Sequence, residues 1–426
     1  MITPTQRRFS RWYEVLLLNN LFLFVLGYFV VVFLPSYVHW GAKLFQWPMV
    51  EIRFNTLLAN SLAYTTSFFI LRKLKCYPGT RSLPFIIPTI LITWFVVFSL
   101  FLFLREEAYS RPVLGYSFIL ALGWSFVGHF LARRFRKSKL AIVPFGRALE
   151  LADVDNAITE VLETPKIAGR RYDGIVADLH AKDLPHEWQV FLAECTLARM
   201  PVFHSQQIME SLTGRVKIDH LSENIFGELL PSSLYSGFKR LIDILGVIVL
   251  LPFALPIMLV TAVLIQLDSR GGVFYNQQRM GFRGKPFKMY KFRSMRNDIE
   301  GKGFTDGEED PRITKIGKVI RKFRIDELPQ ILNVLIGDMS WIGPRPESLQ
   351  LSKWYEKDVP FFSYRHTVRP GISGWAQVNQ GYAAEVEGMT EKLEYDFYYI
   401  KHFSLWLDIL IVVKTIKTVL TGFGAR

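Results

Sequence analysis

Polar and apolar positions along this chain fall into blocks. Four stretches in the first third, residues 15–34, 54–71, 83–104 and 112–132, contain no Asp, Glu, Lys or Arg. Each runs 18 to 22 residues, and about 20 are needed for a helix to cross the hydrocarbon core. The pattern predicts four transmembrane helices within residues 1–138. The first run is long and is followed by three more, which excludes a cleaved signal peptide. From 139 to 232 the pattern changes. Short apolar runs, "LAIVPFG", "YDGIVADL" and "PVFH", alternate with segments of helical spacing such as "HEWQVFLAECTLAR". That predicts a small cytosolic α/β, Rossmann-like domain with a parallel sheet. Its first strand leads into "VPFGRALEL", with one glycine where a dinucleotide-binding turn uses three. A spacer, regulatory or oligomerisation role is therefore expected ahead of nucleotide binding.

A fifth charge-free run, residues 244–267, opens a third region, 233–426. Pro252 and Pro256 interrupt it, and basic residues flank both sides: Lys239 and Arg240 before, Arg270 and Arg279 after. Two arrangements fit. A kinked spanning helix puts all later residues on the opposite side of the membrane. A re-entrant membrane helix over 241–267, broken at the prolines, returns to the side it left and keeps both basic flanks in the cytosol. Asp243, four residues after Lys239, is spaced to pair with it.

Charge then sets orientation. Arg7, Arg8 and Arg11, then Arg72, Lys73, Lys75 and Arg81, then Arg133, Arg134, Arg136, Lys137 and Lys139 crowd one set of loops. The other loops carry Lys43 with Arg53, and Arg105 with Arg111, beside acids. The Lys and Arg bias puts both ends of the four-helix block in the cytosol. The net charge of +13 and mean hydropathy of +0.19 fit anionic lipid and a phosphorylated substrate, and exclude a nucleic-acid stripe. Cys76 and Cys195 are too few and too far apart for a disulfide framework.

The third region carries the candidate chemistry. "GGVFYNQQRMGFRGKPFKMYKFRSM" reads as a β-hairpin whose alternation puts Lys291 and Arg293 on one face and Phe292 on the other. Two cations on one face suit a pyrophosphate; a solvated basic strand beside the membrane is the alternative. "EGKGFTDGEEDP" (300–311) is a loop with the composition of a lid. "ITKIGKVIRKFRI" spaces Ile313, Ile316, Ile320 and Phe323 as one helix face among basic residues, suited to an anionic membrane surface. "ELPQILNVLIG" spaces Leu328, Ile331, Leu332, Leu335 and Ile336 as another stripe. Pro329 belongs in a first turn, so Asp326 and Glu327 fall at that helix's start. An Asp cap with a first-turn Glu is the ordinary reading of such a pair. Two rigid arginines weigh toward chemistry: Arg345 between prolines in "GPRPE", and Arg369 in "RPGISGWAQVNQG", whose Trp375 either stacks on a base or lines a core. The last segment, "LWLDILIVVKTIKTVL", sets Asp408, Lys414 and Lys417 opposite an apolar stripe, as for an interfacial helix.

From Lys239 onward these pieces resemble the bacterial sugar transferase family, the polyprenyl-phosphate phosphoglycosyl transferases. The matching strings are "KRLID", the hairpin string, "DPRITKIGKVIRKFRIDELPQILNVLIGDMSWIGPRP", "RPGISGWAQVNQ" and "YDFYYI…SLWLDILIVVKTI". The four N-terminal spans and the α/β insert are similar to the long members, which use UDP-hexoses. The resemblance implies a re-entrant helix broken at Pro256, with Leu255 where the family often has Ser, and Pro252 one turn earlier. It implies Asp326 as nucleophile toward the sugar-bearing phosphorus of a UDP-hexose, expelling UMP and leaving an aspartyl-phosphosugar. Undecaprenyl phosphate then takes the sugar phosphate, the first membrane step of O-antigen, capsule or exopolysaccharide assembly. Glu327 is implied as an Mg²⁺ ligand, with Lys291, Arg293, Arg345 and Arg369 on the substrate. Glu356 and Asp396 stand where the family has further acids, and either also reads as a structural ion-pair partner. The implied location is the bacterial inner membrane with the site on its cytosolic face. Two rivals are a ternary-complex enzyme that transfers sugar alone and releases UDP, and a non-catalytic scaffold. Galactose and glucose are the first hexoses to expect, and a homodimer the first assembly to test for.

Overall fold

The computed structural model describes residues 19–46, 50–74, 77–78, 83–103, 109–135, 138–154, 157–167, 169–217, 231–296, 310–380 and 386–421. Two compact units emerge, Met1–Gly214 and Arg215–Arg426. Parts of several expectations lie outside the described residues: the start of the 15–34 run, the basic N-terminus, Cys76 and most of the 300–311 loop.

The first unit begins as a helical bundle. Its helices are α1 (Asn20–Phe45), α2 (Glu51–Leu74), α3 (Leu83–Phe103) and α4 (Arg111–Phe135). α1 passes through a π-helical stretch at Phe29–Phe33. α1, α3 and α4 are long and apolar enough to cross a membrane. α2 departs from the expected apolar span. It has 24 residues, but Asn55, Thr56, Asn60 and Ser67 form a buried polar stripe while Phe54, Leu58, Leu62 and Phe69 point outward. Polar side chains turned inward are how membrane bundles hold helices together. Thr56 Oγ1 accepts the Ser110 N–H at 2.9 Å, and Ser61 and Tyr28 hydroxyls meet at 2.7 Å.

The rest of the unit is the expected parallel sheet. Strands β1 (Lys139–Ile142), β2 (Ile158–Val161), β3 (Gly174–Ala177) and β4 (Val202–His204) run in the order β2-β1-β3-β4, all parallel. α5 (His186–Leu197) and α6 (Ser205–Thr213) complete it. β2, "ITEV", has no apolar run to announce it because it is an edge strand with exposed Ile158 and Val161. After β1 the chain forms a 3-10 turn, Gly146–Leu151, in place of a helix. Gly146 has φ +56°, and a Cβ there would lie 2.4 Å from Asp178 Oδ2. The Asp178 carboxylate accepts the N–H groups of Arg147 and His180, both at 3.0 Å. An internal carboxylate thus fills the turn that a bound phosphate would use. Cys195 is buried, and burial pushes its thiol up to about 12.

In the second unit α7 (Ser233–Asp268) runs 36 residues. Its backbone stays helical through Pro252 and Pro256, so the expected helix–break–helix is not seen as an unwound segment. Proline already has a near-helical φ and removes only one donor. One face of α7 is buried: Lys239, Asp243, Val247, Ala254, Met258, Thr261 and Ile265. The opposite face, including Leu241, Leu245, Val249, Phe253, Val260 and Leu267, is exposed among the described residues. Lys239 pairs with Asp408 rather than with Asp243. Asp243 instead accepts the Ser340 hydroxyl at 2.9 Å and the Trp341 N–H at 3.2 Å. Both α7 side chains are buried, so partners fixed on other elements displace the helical neighbour.

The hairpin forms as expected, β5 (Phe274–Met280) antiparallel to β6 (Pro286–Phe292). Two short helices follow, α8 (Lys315–Lys322) and α9 (Gln330–Ile336). Their predicted stripes are only partly buried. Ile320, Ile331 and Val334 enter the core, whereas Phe323, Leu335 and Ile336 are exposed. Asn333 takes the inward place instead. Its amide accepts the Tyr290 N–H at 3.0 Å and donates to the Lys288 carbonyl at 2.7 Å, pinning α9 to β6.

β7 (Ser340–Ile342) and β8 (Gly371–Ser373) pair in parallel, with α10 (Leu349–Asp358) between them in sequence. α11 (Trp375–Asn379), α12 (Val386–Lys401) and α13 (Leu405–Thr421) close the unit. Trp375 lines the core, stacked on Tyr398 with Lys414 Nζ 4.3 Å above its ring. α13 is not a simple interfacial helix: Asp408 is buried, bound by Lys239 and by the hydroxyls of Tyr235 and Tyr399, and Leu407, Leu410 and Ile411 are fully buried. The Lys417 side chain lies outside the described residues.

Candidate active site

The acid pair sits where the chain turns from α8 into α9. Thr314 caps α8 through its hydroxyl on the Gly317 N–H at 2.8 Å. α8 ends at Lys322, capped at Phe323, and the next residue, Arg324, adopts left-handed φ +57°. That conformation is costly for a residue with a Cβ, and such strain gathers at functional sites. The next three residues, Ile325–Glu327, form a 3-10 turn leading through Pro329 into α9. The carboxylates therefore stand on a tight turn ahead of the α-helix rather than in its first turn.

Four charged groups meet there. Lys291 Nζ donates to Glu327 Oε1 at 3.0 Å, and Arg345 Nη2 donates to the same oxygen at 2.9 Å. Arg324 Nη1 lies 3.8 Å from it. Glu327 is buried, yet the cations dominate. Arg345 first, then Lys291 and Arg324, hold its carboxyl far below the usual carboxylate range against the desolvation that would raise it. It is a fixed anion. Asp326 is the opposite case: burial and the Glu327 charge push it up, although Lys291, Arg324 and Arg321 pull it down. Its Oδ1 is buried and has no hydrogen-bond partner among the described residues. A buried carboxylate oxygen left unpartnered beside a clamped neighbour is costly unless a ligand uses it. The two acids thus stand in different surroundings, Glu327 held by cations and Asp326 with an oxygen that none of the described residues binds.

The supports are ordered. β6 delivers Lys291 to the site while Phe292 turns into the core and stacks on Phe274 at 5.4 Å. The predicted face does not extend to Arg293, because the strand ends at Phe292. Arg293 donates to the carbonyls of Arg270 (2.9 Å) and Ser269 (2.7 Å), closing the C-terminus of α7. Gly271 permits this contact, since a Cβ there would lie 2.0 Å from Arg293 Nη1. Arg345 is gripped from behind. Its carbonyl accepts Arg365 Nη2 at 2.9 Å, and the Pro346 carbonyl accepts Arg279 Nη1 at 3.0 Å. Arg365 in turn lies 2.8 Å from Asp396 and 3.7 Å from Glu347, and Lys392 donates to Glu347 at 2.6 Å. Lys392 and Arg365 draw Glu347 down to about 2, overcoming its burial.

Asp326, Glu327, Lys291 and Arg345 come together as one cluster. Asp396 lies behind it in the ion-pair network, and Glu356 is exposed on α10. Arg369 is at the far end of α9, donating to the Gly337 carbonyl at 3.0 Å. Sequence reading took Arg279 only as a basic flank and missed Arg365 and Lys392; their roles exist because distant segments converge. Among the described residues no three His, Cys, Asp or Glu side chains gather as a metal site. The two adjacent acids nevertheless suit Mg²⁺, which takes one or two protein carboxylates and completes its shell with substrate phosphates and water. The hydrogen bonds that Glu327 accepts from Lys291 and Arg345 both fall on its Oε1, and a second carboxylate stands beside it, which fits that donor chemistry.

Comparison with known proteins finds a matching family model and several relatives. The family model described as bacterial sugar transferase matches residues 234–422. An Aeromonas hydrophila protein named UDP-N-acetylgalactosamine-undecaprenyl-phosphate N-acetylgalactosaminephosphotransferase is 48% identical over 422 residues, 99% of this chain and 99% of its own length. Proteins named UDP-glucose:undecaprenyl-phosphate glucose-1-phosphate transferase are similar over less. The one from Xanthomonas campestris pv. campestris is 45% identical over 186 residues, 43% of this chain and 38% of its own. The one from Escherichia coli K12 is 40% identical over 188 residues, 42% of this chain and 40% of its own.

Proposed function

This chain belongs to the bacterial sugar transferase family, and from that premise we propose that it moves a sugar phosphate from a UDP-sugar to undecaprenyl phosphate, releasing UMP. The observation that carries the reading is the unpartnered Asp326 oxygen beside a Glu327 clamped by Lys291 and Arg345. Asp326 Oδ1 attacks the sugar-bearing phosphorus. The bond from that phosphorus to the bridging oxygen breaks, and UMP leaves with the electron pair. An oxygen of undecaprenyl phosphate then attacks the same phosphorus, and the bond to Asp326 breaks, restoring the carboxylate. Carboxylates serve as such nucleophiles in other phosphotransferases. Attack of an anion on an anion needs charge cancelled, and Lys291, Arg345 and Arg324 present positive groups for the phosphate oxygens. Mg²⁺ held by Glu327 would add charge neutralisation at those oxygens.

The donor sugar is the finer question. The Aeromonas relative, aligned along its whole length, is named for N-acetylgalactosamine. The glucose transferases align over less than half of this chain. We therefore place UDP-N-acetylgalactosamine ahead of UDP-galactose and UDP-glucose. Purified protein given undecaprenyl phosphate and each UDP-sugar should release UMP fastest from UDP-N-acetylgalactosamine. Release of UDP would replace this mechanism with direct sugar transfer.

Both ends of α7 bind the same unit, which supports re-entry. Lys239 and Arg240 hold the start to Asp408 and to the Val334 and Leu335 carbonyls. Asp268 accepts the Ile316 N–H at 3.1 Å and Ser269 meets Arg293 at the end. On this reading the helix enters and leaves the cytosolic face, where UDP-sugars are found. A cysteine placed at Gly284 should then resist a membrane-impermeant thiol reagent added outside intact cells, while one at Lys43 labels. Labelling at Gly284 from outside would exclude re-entry.

A further inference from the structure

Strand pairing sets further side chains beside Lys291. In the β5–β6 hairpin Tyr275 stands directly opposite Lys291, and Gln277 and Arg279 follow on β5 at every second position. Opposed residues of an antiparallel pair share a face, with Cβ atoms about 4.5–5.5 Å apart. Lys291 Nζ reaches Glu327 from that face at 3.0 Å, so Tyr275 and Gln277 belong to the side of the hairpin that meets the acid pair. The preceding aromatic shows the contrast, since Phe274 turns to the other face and stacks on Phe292 at 5.4 Å. Tyr275 is 51% exposed. Among the described residues its hydroxyl has no hydrogen-bond partner and its ring no aromatic or cationic neighbour.

Gln277 has one possible orientation. A guanidinium only donates, so the amide oxygen faces Arg279, whose Nη2 lies 2.7 Å from it. Arg279 is fixed in turn by the Pro346 carbonyl, on the loop that carries Arg345. Burial and Arg345 hold the Arg279 guanidinium below its ordinary value, with Glu347, Tyr275 and Glu327 opposing, so Tyr275 and the acid pair act on one guanidinium. The Gln277 amide nitrogen therefore points away from Arg279, and it has no partner among the described residues. An unstacked ring and an unused amide donor thus stand about 7 Å apart along one strand. A planar base with carbonyl groups needs that combination, a face to stack on and a donor for its edge. The position also suits a nucleoside. The sugar of the donor hangs on the phosphorus that meets the buried Asp326 oxygen, whereas the nucleoside lies one phosphate further out, toward the exposed strand.

We propose that Tyr275 and Gln277 hold the nucleobase of the donor, the ring stacking on the base and the amide donating to a uracil carbonyl. This deepens the UDP-sugar reading above and rests on it. Full-length protein in detergent with Mg²⁺ is titrated by calorimetry with UMP, CMP, pyrophosphate and N-acetylgalactosamine 1-phosphate, none of which turns over alone. Tyr275→Ala should weaken UMP about tenfold, the scale of one base stacked on an aromatic side chain. Tyr275→Phe keeps the ring and should bind UMP within about twofold of the unaltered protein. Pyrophosphate has no base and should bind all three proteins alike. Gln277→Ala should reduce the preference for UMP over CMP, because cytosine carries an amino donor where uracil carries a carbonyl. In turnover, Tyr275→Ala should raise KM for the UDP-sugar by the same factor as its loss of UMP affinity and leave kcat in place, the mark of binding lost equally from ground and transition states. Unchanged UMP affinity in Tyr275→Ala overturns the proposal. So does an equal loss for pyrophosphate, which would make Tyr275 a support of the cation cluster, or a loss confined to N-acetylgalactosamine 1-phosphate, which would give the ring to the sugar. The UDP-sugar reading fails separately, if the unaltered protein binds UMP yet releases none from any UDP-sugar.

Discussion

Asp326→Asn should reduce turnover by about four to six orders of magnitude, the range seen when a covalent nucleophile is removed. An amide is too weak a nucleophile to form the phosphoryl adduct. The fold should survive, because Asp326 Oδ1 has no hydrogen bond to lose. Intact-mass measurement after mixing with UDP-sugar alone should show a sugar-phosphate adduct on the unaltered protein and none on the variant. Substantial activity in a variant shown free of deamidation would sink the covalent mechanism. The same residue sets an expectation for pH. Asp326 must be ionised to attack, and burial with the Glu327 charge raises its carboxyl above the ordinary value. The acid limb of kcat/KM should therefore appear at higher pH than for an ordinary aspartate, activity falling as the pH drops through that raised value. Glu327, held far below the usual range, stays charged through the same window.

Arg365→Met should be the most damaging substitution outside the reacting groups. Arg365 is buried between Asp396 and Glu347 and also holds the Arg345 carbonyl. Removing its charge leaves Asp396 without its nearest cation and Glu347 with Lys392 and the more distant Arg279. Breaking a buried pair from one side costs about 3–5 kcal/mol. For a unit of this size that corresponds to a fall in Tm of about 10 °C. A melting curve in detergent checks the first part. The second is a loss of kcat beyond what residual folded protein explains, because the loop carrying Arg345 loses its anchor. A variant that melts within about 2 °C of the unaltered protein would show that the network contributes little. Acid should act on the same network. Glu347, drawn from 4.5 to about 2, contributes stability that is complete above the ordinary carboxylate value and lost as the pH falls toward 2. Asp396, pushed up by its burial, offsets part of this.

Much of the architecture was legible along the chain. Charge-free runs marked the apolar helices because the bilayer imposes a length and excludes charge. The parallel strands around Ile142 and Ile175 showed as short apolar runs because both faces of such a sheet are covered. The acid pair was singled out by the helix start at Pro329 and by the family resemblance, Lys291 by strand alternation and Arg345 by its two prolines, and the structure brings the four together.

What the sequence could not determine were the partners across long separations. Lys239 was spaced for Asp243 and chose Asp408. Arg293 shared a predicted face with Lys291 and instead closes α7, since strand alternation ends where the strand does. Arg369 looked like a second copy of Arg345 and lies at the opposite end of α9. Periodicity reports which face of an element is apolar, and motifs report local backbone shape. Neither reports which buried charge lies within 3 Å of another residue 30 to 170 positions away. In the protein interior each ion must find a partner or pay a large desolvation cost. Only the tertiary structure, by bringing α7, β6, α9 and α13 together, decided which partner that is.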